Sequence, residues 1–516
     1  MEVNKKMKTV VIDGKSLTLE DFVAVARHGA RVEFSDEAIK AMKKSRDLVE
    51  HYVENEVVRY GITTGFGSLS EVTISKKDTS KLQENIIVTH AVSVGEPFAI
   101  EIARGIMLLR ANSIAKGNSG VRVSTVQLIL DMLNAGVTPV IPEQGSLGAS
   151  GDLAPLSHMV LPMLGYGEVY YNGKKYSGKL GMKKAGLEII TLSSKEGLGL
   201  NNGTQAMTSI GALATYDSLK TLKLADISAM LSFEALRGIK TAYDPRIQAV
   251  RPHFGQKASA ENFLKLIEGS TSATEQGELR VQDAYSLRCL PQIHGASKDA
   301  INYVKEKVEI ELNAATDNPL IFPDEEDVIS GGNFHGQPMA LPFDFLKIAL
   351  AELANISELR IERMVNSKLS NGLPSFLVKK AGLNSGFMIV QYSAASIVSE
   401  NKVIAHPASV DSIPSCENQE DHVSMGTTAA RQARQILRNV QHVLGMELLC
   451  ACQAIDIRKI AKLGKGTQVA YDQVRSVVTY MKNDRLIKPD MVKIDEMVIS
   501  HSLVEEVEKV VKLETI

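Results

Sequence analysis

Four segments carry apolar residues at three- and four-residue steps over lengths that few folds accommodate. Residues 204–238 (TQAMTSIGALATYDSLKTLKLADISAMLSFEALRG) read as one long helix, or two joined end to end. Residues 342–366 (PFDFLKIALAELANISELRIERMVN) repeat the pattern, with Pro342 near the start, where proline is tolerated. Residues 386–405 form a third stretch, and residues 420–460 run without a proline. Helices of about 25 to 40 residues span roughly 37 to 60 Å at 1.5 Å per residue, so several in one chain imply a bundle. Their Ala, Ile, Leu and Met residues leave little polar face. That predicts burial on more than one side, including between subunits.

The first 200 residues differ. KTVVIDG near the start and GEVYYNGKKYSG at 167–178 read as short strands, the second with an Asn-Gly turn. Residues 61–68 (GITTGFGS) and 145–151 (GSLGASG) read as loops, because so much glycine is costly inside a helix. The 516-residue length suggests about three domains. The helices between 204 and 460 are too long to be cut at that interval. The expectation is a mainly α chain: residues 1–200 as an N-terminal active-site region with short β segments, and residues 201–516 as a long-helix bundle with C-terminal helices.

Composition removes several classes of function. With 58 basic against 60 acidic side chains, there is no basic surface to displace counterions from nucleic acid or to bind a membrane. No stretch reaches the ~18 uninterrupted apolar residues of a membrane span. The beginning, MEVNKKMKTVVIDG, has no apolar run behind its lysines and does not read as a signal peptide. Cys289, Cys416, Cys450 and Cys452 are too few and badly spaced for a disulfide framework, which fits a reducing cytoplasm. There is no H-E-x-x-H, no pair of CxxC motifs and no phosphate-binding G-x-x-x-x-G-K-[ST], so no metal or nucleotide is expected. GLGLNNG at 197–203 mimics part of a dinucleotide loop, but its third glycine is misplaced.

Residues 141–159, IPEQGSLGASGDLAPLSHM, carry the functional signal. The stretch closely resembles the prosthetic-group motif of the histidine and aromatic amino-acid ammonia-lyases. In that family an Ala-Ser-Gly triplet cyclises to 4-methylideneimidazol-5-one (MIO), here matching Ala149, Ser150 and Gly151. The residue types suit that chemistry. The Gly151 nitrogen must reach the Ala149 carbonyl carbon, and glycine tolerates the dihedrals required. The resemblance recurs along nearly the whole chain. Tyr60 in YGITTGFGS matches the tyrosine taken as the base for the β-proton. Asn202 in LNNGTQ matches the asparagine beside MIO and substrate. Gln282, Tyr285 and Arg288 in VQDAYSLRCLPQ match three more positions, with Arg288 suited to clamp a carboxylate bidentately. Phe334 in GGNFHGQP matches an aromatic packed near the prosthetic group.

Two features point to histidine within that family. Glu420 in NQEDHVSM stands where phenylalanine and tyrosine enzymes carry an uncharged residue. A carboxylate can accept an imidazole N–H, whereas its burial beside a phenyl ring is unfavourable. His90 in VTHAVSVG resembles the histidine of a selectivity segment, and Met388 in SGFMIVQ matches a substrate-side position. The resemblance therefore implies conversion of L-histidine to trans-urocanate and ammonia, with MIO formed from the chain itself, no external cofactor, and a homotetramer. A tyrosine or phenylalanine ammonia-lyase, or a 2,3-aminomutase, is the alternative. Asn201 and Asn118 depart from the family pattern. The fumarase and aspartase enzymes share a long-helix bundle, but their GSS-x-MP-x-K-x-N signature is absent.

Overall fold

The 204–238 stretch is one helix, Gln205–Ala235, and nearly all of it is buried. Its all-round apolar face is thus satisfied within the subunit. The computed structural model describes residues 8–65, 67 and 78–515. Residues 1–7, on which the signal-peptide reading rests, and Phe66 and Ser68 of the 61–68 loop lie outside the described residues. The fold is mainly α, with short two- and three-stranded sheets.

The second predicted helix begins earlier than its sequence suggests, at Gln337, and runs to Val365. Pro338 occupies the first turn, where a missing N–H costs nothing, and Pro342 lies inside the helix. The third helix is Met388–Ile404. The 420–460 stretch becomes helical only at Gly426, ending at Arg458. Residues 420–425 form a loop instead. Met425 takes a left-handed backbone (φ +55°), and its N–H bonds the Leu147 carbonyl rather than starting a helix. The Gly426–Arg458 helix is the one described helix long and apolar enough to cross a membrane, and its apolar window is 83% buried inside the protein.

The chain divides into two compact units. The first comprises Met1–Tyr216, Lys305–Asp344 and Pro407–Arg431. It holds a parallel pair, Thr9–Ile12 with Arg31–Phe34, and an antiparallel hairpin, Glu168–Tyr171 with Lys174–Ser177. The hairpin turns through Asn172 and Gly173, both at positive φ, as the Asn-Gly dipeptide predicts. The helices Ile100–Ala115 and Glu196–Asn201 are buried here. Within the nucleotide-loop mimic, a Cβ on Gly197 would lie 2.5 Å from the Gln83 carbonyl oxygen. That glycine serves close helix packing.

The second unit comprises Asp217–Val304, Phe345–His406 and Gln432–Ile516. Phe233, Tyr243, Phe263 and His294 form a run of ring contacts through its core. Two fully buried carboxylates are ion-paired there. Glu447 accepts from Arg360 Nε (2.5 Å) and Nη2 (2.8 Å), and Asp226 accepts from Lys298 Nζ (2.7 Å) and faces His294 Nδ1 (2.8 Å). Cys450 and Cys452 are buried, and burial pushes the Cys452 thiol up to about 12.

Candidate active site

The loop at 145–151 leads into the helix Leu153–Val160. Gly151 has φ +70°, and a Cβ there would lie 2.2 Å from the Gly203 carbonyl oxygen. Two main chains touch at this point, and the Asp152 N–H donates to that same oxygen at 2.7 Å. Only glycine fits both the dihedral and the approach. Gly148, also left-handed, offers its carbonyl to Ser424 through the backbone N–H (3.4 Å) and Oγ (3.1 Å).

Asp152 anchors this loop from beneath. It accepts hydrogen bonds from Ser146 Oγ (2.7 Å), the Met207 N–H (2.8 Å) and Thr427 Oγ1. Among the described residues no cation pairs with it. Burial pushes its carboxyl above the usual carboxylate range, against the opposing pull of those hydrogen bonds.

Ser150 sits between two predicted partners. Its Oγ donates to Glu420 Oε1 at 2.6 Å, and its carbonyl accepts from Asn202 Nδ2 at 3.0 Å. Glu420 Oε2 accepts in turn from Ser415 Oγ (3.1 Å), across a bridge in which the Ser415 N–H also reaches the Glu420 carbonyl (2.9 Å). Asn202 is held by Arg110, which is completely buried and donates from Nη1 to the Asn202 carbonyl (2.6 Å) and to Gln205 Oε1 (3.0 Å). Burial lowers that guanidinium to about 10. The buried Asn202 Oδ1 has no hydrogen-bond partner among the described residues.

A cleft of about 280 Å³ opens on the triplet. His90, the 145–151 loop, Ser415 and Glu420 line it, all from the first unit. His90 ends the helix Thr79–His90, and burial lowers its pKa although Glu420 opposes the shift. Tyr60 accepts a hydrogen bond at its hydroxyl from the Gly67 N–H at 3.1 Å. A phenol that acts as a base near neutrality needs surroundings that acidify it. The Gly67 amide acts in that direction, but burial, and then the charge on Glu420, raise its pKa. Phe334 is half-buried in the turn before the Gln337–Val365 helix. The next residue, His335, stacks its ring on His422 at 5.7 Å.

The other four predicted residues belong to the second unit. Tyr285–Arg288 is a single helical turn, and Tyr243 Oη pins it by donating to the Leu287 carbonyl at 2.8 Å. The Arg288 guanidinium lies over the Tyr285 ring at 4.9 Å, and its Nε donates to the Asp283 carbonyl (3.1 Å). Tyr285 is 69% exposed, and Gln282 is exposed as well. Met388 opens the helix Met388–Ile404 and is half-buried.

The two departures from the pattern have structural partners. Asn201 Nδ2 donates to Ser157 Oγ (3.1 Å), and Asn118 exchanges hydrogen bonds with Ile321. Arg110, Asp152 and Ser415 were missing from the predicted site. Arg110 had one visible signal, a lone arginine in the apolar run GIMLLRANSIA.

The main-chain triplet thus lines a cleft in a mainly α fold built on long helices. The chain belongs to the aromatic amino acid lyase family, whose model matches residues 17–476. A histidine ammonia-lyase of Alkaliphilus oremlandii is 59% identical over 508 residues, covering 98% of this chain and all of that one. The crystal structure of histidine ammonia-lyase from Trypanosoma cruzi superposes with a TM-score of 0.92 at 43% identity, over 98% of this chain and 96% of that chain. Tyrosine aminomutase from Streptomyces globisporus gives a TM-score of 0.95 at 36% identity, over 99% of this chain and 100% of that chain. The fold is thus common to enzymes of different outcome, and the side chains in the cleft must separate them.

Proposed function

We propose that this chain is a histidine ammonia-lyase that converts L-histidine to trans-urocanate and ammonia. The observation that carries the reading is the Glu420 carboxylate in the cleft, 2.6 Å from Ser150 and sharing the wall with His90. The triplet fits MIO: Gly151 has a left-handed dihedral and a close approach to the Gly203 main chain that only glycine accommodates, and Asn202 Oδ1 is left without a partner among the described residues. MIO, formed from Ala149, Ser150 and Gly151, would supply an electrophile that no ordinary side chain offers.

The chain's own residues do the rest. Cyclisation and dehydration consume the Ser150 hydroxyl, which leaves Glu420 without that donor and able to accept an imidazole N–H. His90, whose pKa burial lowers, lines the same cleft and orients the ring. Asn202 is fixed from behind by Arg110, so its amide meets the substrate without reorganisation. Tyr60 is the base for the β-proton. Its raised pKa keeps it protonated at neutrality, so turnover should climb on the alkaline side. Arg288 is suited to a carboxylate, with Gln282 and Tyr285 beside it, and Phe334 and Met388 shape the substrate side.

The second-unit residues support assembly into a homotetramer. On Gln337–Val365, Phe345, Ile348 and Leu359 share one exposed face, and on Met388–Ile404 the same spacing exposes Ile389, Tyr392 and Val403. Contiguous apolar faces of this kind are covered in oligomers. The buried thiols support a cytoplasmic setting.

The test is incubation of purified protein with L-histidine, L-tyrosine and L-phenylalanine in parallel. Urocanate, read by its ultraviolet absorbance, is expected from histidine. A β-amino acid with little free ammonia would make the chain an aminomutase instead.

A further inference from the structure

The second unit contains a cavity of about 320 Å³ that the lyase chemistry does not use. That volume lies at the lower end of small-molecule sites. Arg237, Arg458, Thr271 and Ser272 line it, and no lining residue among those described is a carboxylate. Arg458 is committed: its Nε donates to the Ala235 carbonyl, and its Nη2 donates to Ser370 (2.6 Å) and Asn371 (2.9 Å). Arg280 caps the same helix end through the carbonyls of Leu236 (3.3 Å) and Arg237 (2.8 Å), and it carries its own counter-ion, Asp283. Cations at a helix C-terminus are ordinary, and that accounts for both of these arginines.

It does not account for Arg237. Among the described residues its guanidinium has no partner, yet it stands within electrostatic range of Arg458. Burial and repulsion from Arg237 and Arg280 together depress the Arg458 guanidinium to about 10. A bound anion would relieve that repulsion. Thr271 Oγ1 and Ser272 Oγ are also informative. They donate their protons to the carbonyls of Lys462 (3.0 Å) and Glu234 (2.5 Å), so lone pairs remain for a ligand. The site therefore offers a guanidinium fork together with hydroxyl acceptors.

We propose that this cavity binds inorganic phosphate. Hydrogen phosphate presents oxygens to Arg237 and retains a P–OH that can donate to Thr271 or Ser272. Sulfate and a phosphomonoester dianion match the charge but lack that proton.

The experiment is calorimetric titration of the full-length enzyme with inorganic phosphate, sulfate and glycerol 3-phosphate at constant ionic strength near pH 7.5. Saturable phosphate binding at one site per chain is expected, with the other two anions at least about tenfold weaker. Arg237→Gln should weaken phosphate at least about tenfold, and Arg237→Lys less, with turnover of the amino-acid substrate unchanged in both. Thermal melts of both variants report whether the fold is kept. The proposal is overturned if phosphate does not saturate, if sulfate binds as well, or if a folded Arg237→Gln protein binds phosphate as the wild type does.

Discussion

Asp152 and Glu447 are both fully buried carboxylates, and their surroundings treat them in opposite ways. Glu447 meets the Arg360 guanidinium through two hydrogen bonds and the hydroxyls of Ser232 and Ser357 (both 2.6 Å). Burial alone would raise its pKa, but Arg360 and the two serine hydroxyls together outweigh burial and hold the carboxyl below its ordinary value. Asp152, beneath the triplet, has hydroxyls and an amide but no cation among the described residues, and burial wins. Around Glu447 the buried charge is neutralised by pairing. The site leaves its charge unpaired, next to a loop whose glycines touch main chain. Such inconsistency with ordinary packing is expected where a protein does chemistry.

The widest separation between the two regions comes from Ser150→Ala. Turnover should fall by at least about a thousandfold, equivalent to roughly 4 kcal/mol, with the melting temperature little changed. Intact mass should show the wild type lighter than its sequence by two waters and the variant at its full mass. A variant that keeps activity breaks the claim that the triplet is the reactive group.

Arg360→Ala acts on the other side of the comparison. It leaves Glu447 buried and unpaired and should cost about 3–5 kcal/mol in urea unfolding. A cost near that of a surface substitution would mean that the pair is not structural.

The pH dependence of stability should separate the two carboxylates. Glu447 has a lowered folded pKa, so its contribution is complete above the unfolded value and is lost as pH falls through the folded one. Asp152 has a raised folded pKa, so ionisation costs stability at neutral pH and protonation relieves that cost as pH falls. Arg360→Ala should therefore flatten the acid limb of the stability profile.

Asp152→Asn should cost less than Arg360→Ala, about 1–3 kcal/mol, because no buried charge is left unpaired but the amide nitrogen must face either the Met207 N–H or the hydroxyls of Ser146 and Thr427. Chemical denaturation of the purified variant checks it.

The long helices were legible because their apolar period survives any context, and the hairpin because Asn172-Gly173 admits few turns. The start of the Gly426–Arg458 helix was not. Residues 420–425 have helix-compatible composition, and it is the tie of Ser424 and Met425 to the 147–148 loop that unwinds them. The same unwinding places Glu420 beside Ser150. At the site, the triplet and its attached residues could be read from motifs. The support given by Arg110 and the raised pKa of Asp152 could not, since both arise from burial among distant segments.

The central claim is that Glu420 selects an imidazole. Its most direct test is the ratio of kcat/KM for L-histidine to that for L-phenylalanine, measured in the wild type and in Glu420→Gln. The account predicts a wild type that strongly favours histidine, and a variant whose histidine term falls about 10- to 100-fold while the phenylalanine term does not fall with it. An unchanged ratio, or a wild type that deaminates phenylalanine and ignores histidine, would contradict it.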